Sequence, residues 1–220
     1  MACATEGMGS TGKDRSTNRR FWKGLSDSSE PILTIFSYRV ADPRLIRTIM
    51  PLQPAPTVAR EYRPTDRKWV TDTNVHHYMT VEGFDASFAT AVSSALDMLE
   101  VQLEDEASRF LIAEASDSSE PVGCVFFSAD DARVGRLRLF YLDQAYRGRG
   151  IGRGMIEEVI AHAHKRDFDT IRVSTFDRHV AACRLYRALG FQEQSREPAF
   201  EFGKRMRQID FEKVLPDQSR

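Results

Sequence analysis

The residues best equipped for chemistry sit in one turn, Arg147-Gly148-Arg149-Gly150-Ile151-Gly152-Arg153-Gly154. Glycine lets a backbone approach a ligand closely and adopt positive φ. Arginine supplies planar, charge-assisted donors for phosphate oxygens. Two elements frame the turn. Before it, Arg136-Leu-Arg-Leu-Phe-Tyr-Leu142 is branched-aliphatic and aromatic and reads as a strand. After it, Ile151, Met155, Ile156, Val159, Ile160 and Ala163 fall on one helical face. A helix start offers unpaired N–H groups and the positive end of its dipole, so the predicted chemistry is a phosphate cradle.

The spacing decides which phosphate loop this is. A dinucleotide fingerprint fails, because the sixth place after Gly148 is Arg153 and after Gly150 is Met155. A P-loop fails, because Gly148 is followed at that spacing by Arg153-Gly154 rather than Lys-Ser/Thr. A decoy at Gly7 to Asp14 puts Asp14 where a Mg²⁺-holding hydroxyl belongs, and no strand precedes it. The spacing Arg147-x-x-Gly150-x-Gly152 between strand and helix remains. In it the chain resembles the GCN5-related N-acetyltransferase (GNAT) family, whose pyrophosphate loop for acetyl-CoA carries that pattern.

A second segment strengthens the resemblance. Thr170 to Phe176 is β-branched and reads as a strand, and Asp177 is placed to cap the next helix. Ala182, Leu185, Tyr186 and Leu189 then line one helical face, with Gly190 at an αL C-cap position and Phe191 beyond it. The run Ala182-x-x-Leu185-Tyr186-x-x-x-Gly190-Phe191 looks like the last core motif of the same family. Trp69-Val70, Tyr78, Gly83-Phe84-Asp85, Pro121 to Phe126, Arg136 to Leu139 and Phe202-Gly203 are similar to acetyltransferase domains fused behind MarR-type regulators in bacteria. No winged-helix regulator fits before residue 65, so DNA binding does not carry over.

The resemblance implies an α/β GNAT fold, a mixed, mostly antiparallel central sheet with helices on both faces. It implies acetyl-CoA as co-substrate and no metal. Cofactor contacts would come from Tyr141 and Leu142, on the family's splayed strand, and from Arg147, Gly148, Arg149, Gly150, Ile151, Gly152 and Arg153. Tyr186 matches the tyrosine beside the sulfur, the acid for a leaving thiolate; its ordinary alternative is a core aromatic. His179 stands where many relatives carry an asparagine that touches the cofactor. The general base stays open, with Glu100, Glu104, Glu114 and Asp143 candidates by chemistry alone. Strand alternation puts Arg138 and Phe140 on one face, where Arg138 either forks an acceptor carboxylate or is a surface arginine. The expected partner is a small-molecule amine such as an amino acid or derivative, with room for a homodimer. Acetylation of a protein lysine or N-terminus, and a non-catalytic CoA-binding domain, are the alternatives.

Composition sets the remaining bounds. The 220 residues are 41% hydrophobic with a net charge of −1, which implies no nucleic-acid partner. No apolar run approaches a membrane span. Cys3, Cys124 and Cys183 are too scattered for a metal or redox motif and read as reduced cytoplasmic thiols. Residues 1–30 read as a disordered tail, 31–64 as an extension of unknown role with a helix opening at Asp42-Pro43, 65–212 as the acetyltransferase domain, and 213–220 as a tail. Within the domain, Lys68 to Thr73 reads as the first core strand. His76 and His77 point to different faces and do not pair on a metal. Asp85 to Leu103 reads as an amphipathic helix whose acidic end, Glu100 to Glu106, is a solvated surface or draws a cationic acceptor. A hairpin of Phe110 to Ala115 and Val122 to Phe127 comes next. Gln192 to Arg196 and Phe202 to Phe211 close the domain.

Overall fold

The computed structural model describes residues 55–216. The expectations for residues 1–54, including the Asp42-Pro43 helix, and for 217–220 lie outside them. Among the described residues, seven strands form one sheet in the order β1-β2-β3-β4-β5-β7-β6. They are β1 (Thr57–Glu61), β2 (Arg109–Ala115), β3 (Pro121–Asp131), β4 (Val134–Leu142), β5 (Thr170–Phe176), β6 (Gln192–Glu201) and β7 (Lys204–Val214). All neighbours run antiparallel except β4 and β5. Among the described residues, four α-helices flank the sheet: α1 (Arg67–His76), α2 (Ser87–Glu100), α3 (Ile151–Lys165) and α4 (Val180–Ala188). This is the expected mixed, mostly antiparallel sheet with helices on both faces.

Side-chain alternation builds a core on each face. Leu111, Val125, Phe127, Leu137 and Ile171 pack with Ile156 and Val159 of α3 and Tyr186 of α4. Phe110, Ile112 and Phe126 pack on the opposite side with Val70 of α1 and Val92, Leu96 and Leu99 of α2. The last three belong to the amphipathic stripe read from the sequence.

Three expectations fail locally. Lys68–Thr73 is not a strand but the body of α1. Pro64 opens a 3₁₀ turn ahead of it, and Asp66 accepts from the Arg63 amide at 2.8 Å and from both terminal nitrogens of Arg60. Val70 and Asn74, one turn apart, are both buried, and Asn74 Nδ2 donates to the Val70 carbonyl at 2.8 Å. That tertiary burial overrides the β-branched composition. The first strand is instead β1, an edge strand inside the segment read as an extension, paired with β2 from Thr57 to Glu61. The last two strands run longer than expected, and Phe202-Gly203, with φ of 52° and 72°, form the hairpin turn between them.

One irregularity shapes the centre of the molecule. β4 and β5 pair only from Val134↔Thr170 to Arg136↔Arg172. Both strands continue, but apart, so the sheet opens at its middle.

Candidate active site

β4 ends at Leu142, and the Asp143 carboxylate then caps a 3₁₀ turn by accepting from the Ala145 amide at 2.9 Å. Gly148 and Gly150 come next, at φ of 75° and 82°. L-residues pay about 1–2 kcal/mol for that conformation. A Cβ built on either glycine would meet nothing within 4 Å, so backbone conformation rather than crowding demands glycine there. α3 then starts at Ile151. The Gly154 amide donates to the Gly150 carbonyl at 2.9 Å, which leaves the amides of Ile151, Gly152 and Arg153 at the helix entrance. Gly152 lets α3 settle on β4, since a Cβ there would stand 3.0 Å from the Phe140 ring.

This entrance borders a cleft of about 550 Å³ that Tyr141, Leu142, Arg147, Gly148, Gly150, Ile151, Gly152 and Arg153 line together. The Arg147 Nε donates to the Leu142 carbonyl at 2.8 Å and its guanidinium lies 6.0 Å from the Tyr141 ring centroid. Those contacts fix the fork while its terminal nitrogens stay available. Arg149 is the exception among the predicted cradle residues: it does not border the cleft, and its guanidinium lies over the Tyr146 ring. On the far rim, Arg178 Nε pairs with Glu82 at 2.7 Å, which joins the β5–α4 loop to the π-turn His77–Val81.

A second cavity of about 210 Å³ adjoins the cleft and shares Tyr78, Phe140, His179 and Ala182 with it. It occupies the gap between the diverging strands, with Leu137 to Phe140 on one side and Val173 to Phe176 on the other. Asn74, Tyr78, Phe84 and Phe88 close it from the α1–α2 side, and Tyr186 closes it from α4. Tyr186 is 3% exposed and packs on Phe140, Phe191 and Phe211. Burial pushes its phenol well above the ordinary value. Among the described residues its hydroxyl has no hydrogen-bond partner. The cap of α4 holds this residue: the Phe191 amide donates to the Tyr186 carbonyl and the Gly190 amide to Arg187, both at 3.0 Å. That is a Schellman motif, with Gly190 at φ 84°.

The expectation that Arg138 and Phe140 share a face is wrong. Phe126 pairs with Arg138 and Cys124 with Tyr141, so Leu139 and Phe140 together oppose Val125 alone. This β-bulge carries Leu139 at φ 45° and reverses the alternation beyond it. Leu137 and Phe140 turn to the α3–α4 core, whereas Leu139 and Tyr141 turn to the other. The Cys124 thiol, pushed up to about 12 by burial, donates to the Leu139 carbonyl at 3.1 Å and steadies the bulge. Arg138 therefore opens on the second cavity from the α1–α2 side. Its Nη2 meets Asp130 Oδ1 at 3.1 Å, while Asp130 Oδ2 is taken by Arg136 at 2.8 Å.

His179 stands where the two spaces meet. Asp177, expected to cap α4, instead accepts from the Arg207 amide at 3.3 Å, and His179 is the residue at the cap position. The imidazole Nδ1 lies 3.1 Å from Thr175 Oγ1, and Tyr78, Phe84 and Phe176 surround the ring. Its Nε2 is buried and, among the described residues, lacks any partner. Burial lowers the pKa of this histidine, so the ring is neutral near pH 7. None of the bases nominated from sequence borders either space. Glu100 is held by Tyr62 and Arg67, Glu114 by Arg60, and Asp143 by its own turn. Asn74, Glu82, Thr175 and Arg178 were not singled out from sequence, and Phe88 only as an apolar position of the Asp85 to Leu103 helix. Their only signal is spatial, because distant loops converge on the strand gap. Among the described residues, no group of three or more metal-ligating side chains occurs.

Known proteins are similar to this chain in sequence and fold. A spermine/spermidine N(1)-acetyltransferase of Bacillus subtilis is 36% identical over 66 residues, 29% of this chain and 43% of that protein. N-alpha-acetyltransferase 30 of Saccharomyces cerevisiae is 31% identical over 80 residues, 34% of this chain and 46% of that protein. The chain thus spans less than half the length of these curated relatives. A Salmonella typhimurium acetyltransferase solved with its cofactor acetyl-CoA superposes with a TM-score of 0.62 at 16% identity, covering 76% of this chain and 98% of that one, which shows a common fold. The model of the acetyltransferase (GNAT) family matches residues 67–191, more than half of the 220. The chain belongs to that acetyltransferase (GNAT) family.

Proposed function

We propose that the protein is an acetyl-CoA-dependent N-acetyltransferase that acetylates a primary amine of a small molecule. The observation that carries this is continuity. The glycine-turned entrance of α3 opens on a cleft that leads through the strand gap to a second, ring-lined cavity. At about 210 Å³ that cavity suits a small acceptor rather than a protein segment.

The residues present fit a CoA diphosphate. Open space stands over Gly148 and Gly150, amides fan out at Ile151 to Arg153, and Arg147 offers spare donors beside them. Acetyl-CoA supplies an activated acyl thioester when bound. The work of the chain is positioning and proton control. Beyond Arg136, β4 lacks its β5 neighbour, so backbone groups near Tyr141 and Leu142 are free to hold the arm and polarise a carbonyl, an oxyanion-hole role. Tyr186 keeps its proton at every working pH and donates toward a departing sulfur. A thiol titrates near ~8.5 and a phenol near ~10, so full transfer is uphill and the hydroxyl acts chiefly as a hydrogen-bond donor. The neutral His179 Nε2 accepts from the attacking amine and passes its proton to solvent through the cleft.

We also keep as a proposal the narrower kinship with domains fused to MarR-type regulators; Tyr78 and Phe84, two of its carrying residues, line the second cavity. The free, buried Cys124 and Cys183 support a reducing, cytoplasmic location. The test is to mix protein with acetyl-CoA and an amine panel and read free thiol. Amine-dependent thiol release is expected. Tight acetyl-CoA binding with no release by any amine would overturn the transferase reading in favour of a CoA-binding domain.

A further inference from the structure

The second cavity carries its own chemistry. Six aromatic rings, Tyr78, Phe84, Phe88, Phe140, Phe176 and Tyr186, stand in its walls beside Leu137, Leu139 and Val173. They support one another, with Tyr78 to Phe88 centroids 4.6 Å apart and Phe84 to Phe176 at 6.1 Å. Such a lining rewards an apolar or aromatic body and tolerates one ammonium against its π faces. The only fully charged group in that wall is Arg138, and no carboxylate lines it. Arg138 is incompletely matched. Asp130 gives it one contact at 3.1 Å and spends its other oxygen on Arg136, which also takes it through Nε at 3.1 Å. A planar fork with donors left over, partly withdrawn from water, is the ordinary receptor for a carboxylate. The same cavity is lined by His179, whose Nε2 is buried and, among the described residues, unpartnered, a place for one nitrogen.

Resting on the transferase reading, we infer that the acceptor is a zwitterion: a primary amine with an aromatic or bulky apolar body and a carboxylate that docks on Arg138. Polyamines are excluded by the same wall. One ammonium finds His179 and the rings, but each further ammonium meets Arg138, whose neighbouring carboxylate, Asp130, is already engaged by Arg136 and Arg138. The Bacillus relative is a spermine/spermidine acetyltransferase by name; its likeness to this chain covers 29% of it, and the wall chemistry points elsewhere.

The experiment compares phenylalanine, phenethylamine and spermidine as acceptors with acetyl-CoA, read by thiol release. Each is also titrated calorimetrically against protein saturated with CoA. Phenylalanine should exceed phenethylamine in kcat/KM by tenfold or more, and spermidine by more still. In Arg138→Gln the phenylalanine-to-phenethylamine ratio should fall to near unity, while Arg138→Lys keeps part of it. A wild-type preference for phenethylamine or spermidine, or a ratio unmoved by Arg138→Gln, would overturn the inference. Should no amine release thiol, the transferase reading fails alone. The calorimetric ranking then decides the inference, since it requires phenylalanine to bind best and to lose that lead in Arg138→Gln. Unchanged circular dichroism and melting of each variant separate lost recognition from lost folding.

Discussion

Tyr186→Phe removes one oxygen and keeps the ring. That ring is 3% exposed and packs on Phe140, Phe191 and Phe211, contacts that phenylalanine preserves. The hydroxyl has no hydrogen-bond partner among the described residues, so its deletion breaks no bond in the resting protein. Folding stability should therefore change by less than about 0.5 kcal/mol, and it should rise if it moves at all. Catalysis should respond differently. A hydrogen bond to a charged group is worth about 1.5–3 kcal/mol, and in the proposed role it forms only as sulfur departs. The expected loss in kcat is thus about 10- to 150-fold, with acetyl-CoA affinity held within about threefold. Stopped-flow thiol release gives kcat, calorimetry gives the Kd, and thermal melting checks the fold. An unchanged kcat would remove the acid role. A matching loss of kcat and of melting temperature would mean that the hydroxyl is structural.

Separate parts of the molecule give further outcomes. Gly150→Ala should lower stability by about 1–2 kcal/mol through its φ of 82°, which for a domain of this size is roughly 2–8 °C in Tm. A melting curve identical to wild type would contradict the αL entrance. Arg147→Ala should raise the acetyl-CoA Kd about tenfold, the equivalent of about 1.4 kcal/mol, and an unaltered Kd would place that guanidinium outside the cradle. Leu96→Ala empties a fully buried position under α2 and should cost about 2–5 kcal/mol; a chemical-denaturation loss below about 1 kcal/mol would show that the α1–α2 core collapses to fill it. Acid should weaken the fold above the carboxylate range. Burial lowers the folded pKa of His179 below the unfolded value near ~6.5, so the unfolded chain binds more protons and the contribution, complete above that pH, is lost as pH falls. Tm should drop between about pH 7 and 5.5, by less in His179→Gln, and equal drops in the two proteins would refute the assignment.

What the sequence disclosed was local. The Arg147 to Gly152 turn, the apolar stripe of α3 and the Tyr186 to Phe191 cap each depend on residues within about two helical turns, and spacing alone reports them. What it hid was non-local. Val70 lies in a β-branched stretch, yet α1 forms because Asp66 is gripped by Arg60 and because Val70 and Asn74 are buried together. β1 alternates poorly because it is an edge strand with little to bury. The face of Arg138 was misread because a bulge at Leu139 carries positive φ on a residue whose type gives no warning of it. The second cavity had no linear signature. Its walls come from α1, the π-turn, the start of α2, both splayed strands and α4. His179 was visible as a departure from its relatives, but its orphaned nitrogen is a property of packing.

The central claim is that the α3 entrance grips a diphosphate. Parallel calorimetric titrations with CoA and with pantetheine, which shares the thiol arm and lacks the diphosphate, test it most directly. CoA should bind at one site per chain, with a Kd at least about 100-fold below that of pantetheine, or roughly 2.7 kcal/mol. Equal affinities, or no heat from CoA at all, would contradict it.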